Sequence, residues 1–223
     1  MPSLRFRFAS FLEDLAWNMK EKGNERENRR FLDRYSLTDL PRQEKKVTRY
    51  NFYGGVNVLM LDALLASGLI KPSDHILDVG CGTGIFLLYL ASKGFLHLTG
   101  QELDGEVYAV THKNLAAFRE RVPDYAGQLE IRKENAVTAG VPDDINICYL
   151  FNSFYDQNTY TEWIEALHAS VKRKPRKVKV LLLYPTPSSL SAFRQCGWLA
   201  ETDSLESRTE NLPQFVRFQV FEN

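Results

Sequence analysis

From Lys71 onward the chain alternates short apolar runs with longer segments in which apolar residues return every three or four positions. Short apolar runs bounded by Gly, Pro and charged residues mark buried strands, and a return every three or four positions marks a helix with one face turned to a core. The runs predict strands at His75 to Val79, His97 to Gln101, Leu129 to Lys133, Ile145 to Phe151, Val178 to Tyr184, Leu199 to Thr202 and Phe215 to Phe221. Helices are predicted between them, over Ile85 to Lys93, Gly105 to Arg121, a short turn after Asn135, Thr159 to Lys172 and Ser188 to Gln195. Strand and helix in regular alternation is the pattern of βαβ units, so the expected fold is α/β, a doubly wound, Rossmann-like, seven-stranded and mostly parallel sheet.

Upstream the pattern is helical. Phe11, Leu12, Leu15, Ala16 and Met19 fall at helical spacing, "NERENRRFLDRYS" continues it, and Pro41 in "LTDLPRQEKK" marks a linker or bend. A further helix is predicted from Val56 to Ser67, with Gly68 as its stop. The expected organisation is a helical extension or cap over 1–55 and a ligand-binding domain over 56–223.

Composition narrows the classes. With 223 residues and 44% hydrophobic content the chain can bury one substantial core. Lys plus Arg and Asp plus Glu each total 28, so no global field draws the protein to nucleic acid or an anionic membrane. Cys81, Cys148 and Cys196 are far apart and lack CxxC spacing, which offers neither a disulfide framework nor a zinc site and fits a reducing, cytoplasmic setting. Glu13 and Asp14 interrupt the first apolar run before a signal-peptide core could form, and no window holds the ~20 apolar residues a membrane span needs.

The chemistry concentrates in "HILDVGCGTGIFLLYLA", where Gly80, Cys81, Gly82, Thr83 and Gly84 form G-x-G-x-G between a predicted strand and a predicted helix. Glycines alone could mean only a tight turn. Asp78, at the end of the strand, would repel a phosphate but suits an ammonium. Glu102, about 20 residues beyond the glycines, stands where a carboxylate can accept hydrogen bonds from both hydroxyls of a ribose. The pair describes a nucleoside with an amino-acid tail. A dinucleotide site prefers G-x-G-x-x-G, and Ile85 occupies the position of that third glycine.

Residues 75 to 104 resemble motif I and the following acidic motif of the class I S-adenosylmethionine-dependent methyltransferases. The resemblance implies a sheet whose last strand is antiparallel and a donor site in which Gly80, Cys81, Gly82 and Gly84 pass beneath the methionine moiety. It implies further that Asp78 reaches the amino group and that Glu102, with Leu103 beside it, holds the ribose. In "RKENAV", Asn135 stands where this family often has Asp; with Ala136 it either meets the adenine or caps a short helix. In "CYLFNSFYD", Phe151, Asn152 and Tyr155 fall at a strand end, beside the expected methyl group. That stretch partly matches the N-P-P-Y and N-P-F turns of some members, with Ser153 and Phe154 replacing the first proline and its follower. Asn152 and Tyr155 are therefore the candidate catalytic residues, set against a reading in which Asn152 caps a turn and Tyr155 covers the core.

The remaining polar residues read as bystanders. His112 and His168 are expected on solvated faces, His75 far from the chemistry, and no His or carboxylate cluster nominates a metal. "KRKPRKVK", Lys172 to Lys179, is expected as a solvated helix end rather than a phosphate-contacting patch. Tyr50 to Gly55, "YNFYGG", could form a lid or simply lead into the sheet. The implied reaction is in-line methyl transfer to a small-molecule or protein acceptor, with S-adenosylhomocysteine as co-product. No basic face or aromatic ladder specifies nucleic acid, and the oligomeric state is not encoded legibly. An inactive nucleoside-binding or scaffold module on the same fold is the alternative.

Overall fold

A computed structural model describes residues 25–39, 57–207 and 216–223. The helix expected over Phe11 to Met19, the bend at Pro41, the "YNFYGG" stretch and the 55/56 boundary lie outside them. The described helices are α1 over residues 25–35, α2 Val58–Ala66, α3 Ile85–Ser92, α4 Gly105–Arg121, α5 Ala136–Ala139, α6 Gln157–Arg173 and α7 Pro187–Gln195. The strands are β1 His75–Val79, β2 His97–Glu102, β3 Gln128–Lys133, β4 Ile147–Phe151, β5 Lys179–Leu183, β6 Ala200–Ser207 and β7 Val216–Glu222.

They form one sheet in the order β3-β2-β1-β4-β5-β7-β6, with β1 to β5 parallel and β7 antiparallel to both β5 and β6. Chain direction along the sheet reverses between β1 and β4. That point, above the strands' carboxyl ends, is where a doubly wound sheet opens a crevice for ligand.

Strand alternation divides the core between two faces. Ile76, Ile147, Tyr149, Leu181 and Leu183 pack with α2 and α3 on one face; Leu77, Val79, Cys148, Leu150 and Leu182 pack with α6 and α7 on the other. Helix α1 shares the first face. Its Phe31 ring lies 5.1 Å from Tyr89 of α3, and Tyr35 lies 5.3 Å from Phe118 of α4. The N-terminal helix thus helps build the main core.

Capping residues fix several helix starts that periodicity placed a residue or two away. Asn57 accepts from Leu59 N–H at 2.9 Å and starts α2 at Val58. Asp156 starts α6 at Gln157, and Thr186 with Ser189 forms a capping box that starts α7 at Pro187. Strand β6 departs furthest from the expected Leu199 to Thr202. It runs to Ser207 because β7 supplies partners along its length, with a register shift at Thr202, while its polar, exposed "ETDS" hides it from a search for apolar runs.

At the opposite end from the crevice, Arg176 is an internal staple. Its Nε donates to Ile145 O at 2.5 Å, Nη1 to Ser170 O and Lys174 O at 3.2 and 3.0 Å, and Nη2 to Pro142 O at 3.2 Å. Arg173 pairs with Asp143 at 2.7 Å, and Lys179 donates to Leu69 O at 3.1 Å. Within the basic run, Lys172, Arg173 and Lys174 are exposed, as expected of a solvated helix end, whereas Arg176, Lys177 and Lys179 donate to the chain's own carbonyls.

Candidate donor and acceptor site

Three glycines shape the turn from β1 to α3. Gly80, Gly82 and Gly84 have φ of 73°, 56° and 79°, a region that side chains seldom enter. A Cβ on Gly84 would also stand 2.8 Å from Thr111 Cγ2. The loop is held from below: Gly80 and Cys81 N–H both donate to Gln101 O at 2.9 Å. It is held from the side by Glu102, whose Oε2 accepts from Gly82 N–H at 2.9 Å and whose Oε1 accepts from Asp104 N–H at 2.8 Å.

Glu102 is only 9% exposed and therefore belongs to the loop's scaffold as well as to the crevice. Replacing it by alanine would therefore remove two loop-holding acceptors along with any ligand contact. Burial raises its carboxyl above the usual range, while the N–H groups of Asp104 and Gly82 pull it back down.

Asp78, 3% exposed, ends β1 under the glycines. Burial and the neighbouring Glu102 charge push its carboxyl well above the usual range. No described residue donates a hydrogen bond to it, so an ammonium would supply both a countercharge and donors. Helix α3 is N-capped by Gly84, and among the described residues no side chain caps its first amides, which leaves donors and a positive dipole end for a ligand carboxylate. Cys81 is packing: burial and the charges of Asp78 and Glu102 push its thiol up, and it fills the space left by Gly100, where a Cβ would lie 2.8 Å from its Sγ.

A second layer was missed by the sequence reading. Thr111 Oγ1 donates to Gly82 O, and Asn114 Nδ2 donates to Thr83 O at 2.9 Å and to Thr38 O at 2.7 Å. Asn114 Oδ1 accepts from Thr38 N–H at 2.7 Å, and Thr83 Oγ1 donates to Asp39 at 3.0 Å. The available signal was two polar residues on the apolar stripe of α4, among Val107, Leu115 and Phe118.

After β3, where the resemblance expects the adenine, Asn135 Oδ1 accepts from Val137 N–H at 2.9 Å and caps α5, with Ala136 buried behind it. Gln101 Nε2 ties this segment to β2 through Glu134 at 2.8 Å and Gly140 O at 2.9 Å. Leu103, 43% exposed, presents an apolar surface next to Glu102.

Beyond β4, Asn152 has φ of 50°, and Ser153 folds over the glycine loop, its Cβ 3.5 Å from where a Gly80 Cβ would be. Ser153 Oγ donates to Val79 O. This closes the Asn152 turn onto the cradle. Tyr155 is 51% exposed, and Phe154 is the residue that enters the core, its ring 5.1 Å from Tyr160. The reading of Tyr155 as a core cover is thereby corrected.

The histidines lie elsewhere. His75 contacts Asp144 at 3.1 Å and stacks on His97 at 4.0 Å at the amino ends of β1 and β2, His112 is exposed, and His168 stacks on Trp198. Among the described residues, no group of three or more His, Cys, Asp or Glu is placed to hold a metal ion, and no helix is long and apolar enough to cross a membrane.

Comparisons with known proteins agree with this fold. The chain shares its fold with the magnesium protoporphyrin IX methyltransferase of Synechocystis PCC 6803, solved with bound S-adenosylmethionine, at a TM-score of 0.52 and 12% identity over 74% of this chain and 76% of that one. TrmN from Thermus thermophilus superposes with a TM-score of 0.53 at 17% identity, over 76% of this chain and 50% of that one. A curated relative, the H3 lysine-79 specific histone-lysine N-methyltransferase of Dictyostelium discoideum, is 32% identical over 69 residues, which is 31% of this chain but 4% of that protein. A family model described as a methyltransferase domain matches residues 24–218. A glycine cradle that fits a sulfonium nucleoside, this fold and a match across most of the chain have one reading: the protein belongs to the S-adenosylmethionine-dependent methyltransferase domain family.

Proposed function

We propose that the protein transfers the methyl group of S-adenosylmethionine to a nitrogen atom of a small molecule or a protein side chain. One observation supports this reading: Ser153 is packed onto Gly80, so the turn that follows β4 and begins with Asn152 lies against the glycine loop. When bound, S-adenosylmethionine supplies an electrophilic methyl carbon on a cationic sulfur. The protein's own work is to align and to shield. Asp78 faces the donor's ammonium, Glu102 accepts from the ribose hydroxyls, and Leu103, Asn135 and Ala136 border the base. Asn152 orients the acceptor nitrogen's lone pair and stabilises the positive charge it gains.

The Dictyostelium relative's name supplies one acceptor to try, a histone lysine. The test is methyl transfer from labelled S-adenosylmethionine to core histones and to a panel of small primary and secondary amines, with donor affinity measured by calorimetry. Glu102→Ala should weaken donor binding by roughly 10- to 150-fold, as expected for losing a charged acceptor. Asn152→Ala should lower turnover with little change in donor affinity. Equal donor affinity in Glu102→Ala and the parent would sink the assignment of the cradle, and label appearing only on oxygen acceptors would sink the choice of nitrogen.

A further inference from the structure

Among the described residues only three that are not glycine have positive φ, and two of them stand side by side. Strands β4 and β5 are paired through Phe151 and Leu183, so the next position on each strand, Asn152 (φ 50°) and Tyr184 (φ 48°), leaves the sheet together at its carboxyl edge. Left-handed backbone is unfavourable for a tyrosine and tends to be kept where function requires it.

What the conformation achieves can be read from the alternation. On β5, Leu181 and Leu183 face the α2–α3 side of the sheet and Leu182 faces the other, so a regular strand would send Tyr184 the way of Leu182. The left-handed turn places the ring on the α2–α3 side instead, 6.0 Å from Phe151. Asp78 and Tyr149 point to that same side from neighbouring strands, paired in register. The Tyr184 hydroxyl donates to Met60 Sδ at 3.1 Å, a weak acceptor that a ligand oxygen could replace.

We propose that Tyr184, with Phe151, forms an aromatic wall of the acceptor site that selects an amine whose nitrogen becomes cationic on methylation. The inference rests on the methyl-transfer reading above. The acceptor nitrogen's lone pair forms the new N–CH3 bond as the S–CH3 bond breaks with its electron pair retained by sulfur. The positive charge passes from sulfur to nitrogen, next to two ring faces that attract it, and is relieved when that nitrogen gives a proton to water. Tyr184 is thus a specificity-determining residue that discriminates through its ring.

The experiment titrates the protein, saturated with S-adenosylhomocysteine, with choline and with its neutral isostere 3,3-dimethylbutan-1-ol, using the parent, Tyr184→Phe and Tyr184→Leu. Choline should bind the parent more tightly than the alcohol. Tyr184→Leu should weaken choline about 3- to 30-fold and the alcohol less, whereas Tyr184→Phe, which keeps the ring, should retain choline within about twofold. Equal choline affinity in the parent and Tyr184→Leu, equal weakening of both probes, or no choline binding to the parent overturns the aromatic wall. Calorimetry with S-adenosylmethionine on the same proteins separates the two levels. A parent that binds donor but not choline loses only this inference, whereas one that binds no donor loses methyl transfer as well.

Discussion

Asp78 is a carboxyl group kept from water and, among the described residues, from any hydrogen-bond donor. Among the described residues, the groups facing it are Glu102 from β2, Cys81 from the loop and Tyr149 from β4, none of them cationic. Its folded-state pKa lies above the unfolded value of about 3.9, so its proton stabilises the fold at low pH, and that contribution is lost as pH rises through the raised value. Donor binding should run the other way. An ammonium needs the carboxylate, so affinity for S-adenosylmethionine should increase with pH from about 4 up to the raised value, and Asp78→Asn should flatten the increase while lowering affinity. Calorimetry across that range checks this, and parallel pH curves for the two proteins would refute it. Asp78 and Glu102 were legible because a carboxylate next to a glycine turn changes which ligand the turn can hold. Tyr184 was not, since its value lies in a backbone angle that no single-residue preference announces.

At the scale of elements, local patterns revealed what local physics decides. "HILDV" is an apolar run ended by glycine, and β1 occupies the positions predicted for it. Strand β6 shows the limit, because an edge strand with an exposed face draws its definition from its partner. The bonds from α4 to the glycine loop were equally hidden: Thr111 and Asn114 reach partners 29 and 31 residues away, and Thr38 lies 76 residues from Asn114. Asn114→Ala would leave Thr38 N–H and the carbonyls of Thr38 and Thr83 without this partner. A loss of about 2–3 kcal/mol is expected, seen as a melting temperature lower by roughly 5–10 °C together with weaker donor binding. A melting temperature within about 2 °C of the parent would show the network to be dispensable.

Across the whole molecule the two edges of the sheet divide their work. The carboxyl edge carries uncapped amides, left-handed residues and a buried carboxyl, whereas the amino edge carries Arg176, threaded among the carbonyls of Pro142, Ile145, Ser170 and Lys174. Arg176→Ala should therefore lower the melting temperature by roughly 4–8 °C, the effect of about 2 kcal/mol in a chain of this size, and leave donor affinity unchanged. A donor affinity that falls along with stability would show that the edges are coupled. The sequence could not reveal this division, since Arg176 within "KRKPRKVK" reads as one more solvated charge until the carbonyls it binds are seen.

The Asn114 side chain holds Thr38 by both its N–H and its carbonyl while gripping Thr83 in the donor loop. The peptide hydrogen of Thr38 is therefore a clock for donor occupancy, although it sits just past α1 and outside the residues assigned to the ligand. If freeing that hydrogen requires the loop to open, saturation with S-adenosylmethionine at 100 times its dissociation constant should slow its exchange with deuterium by up to about 100-fold. An unchanged rate would mean that the α1 end and the donor loop open independently.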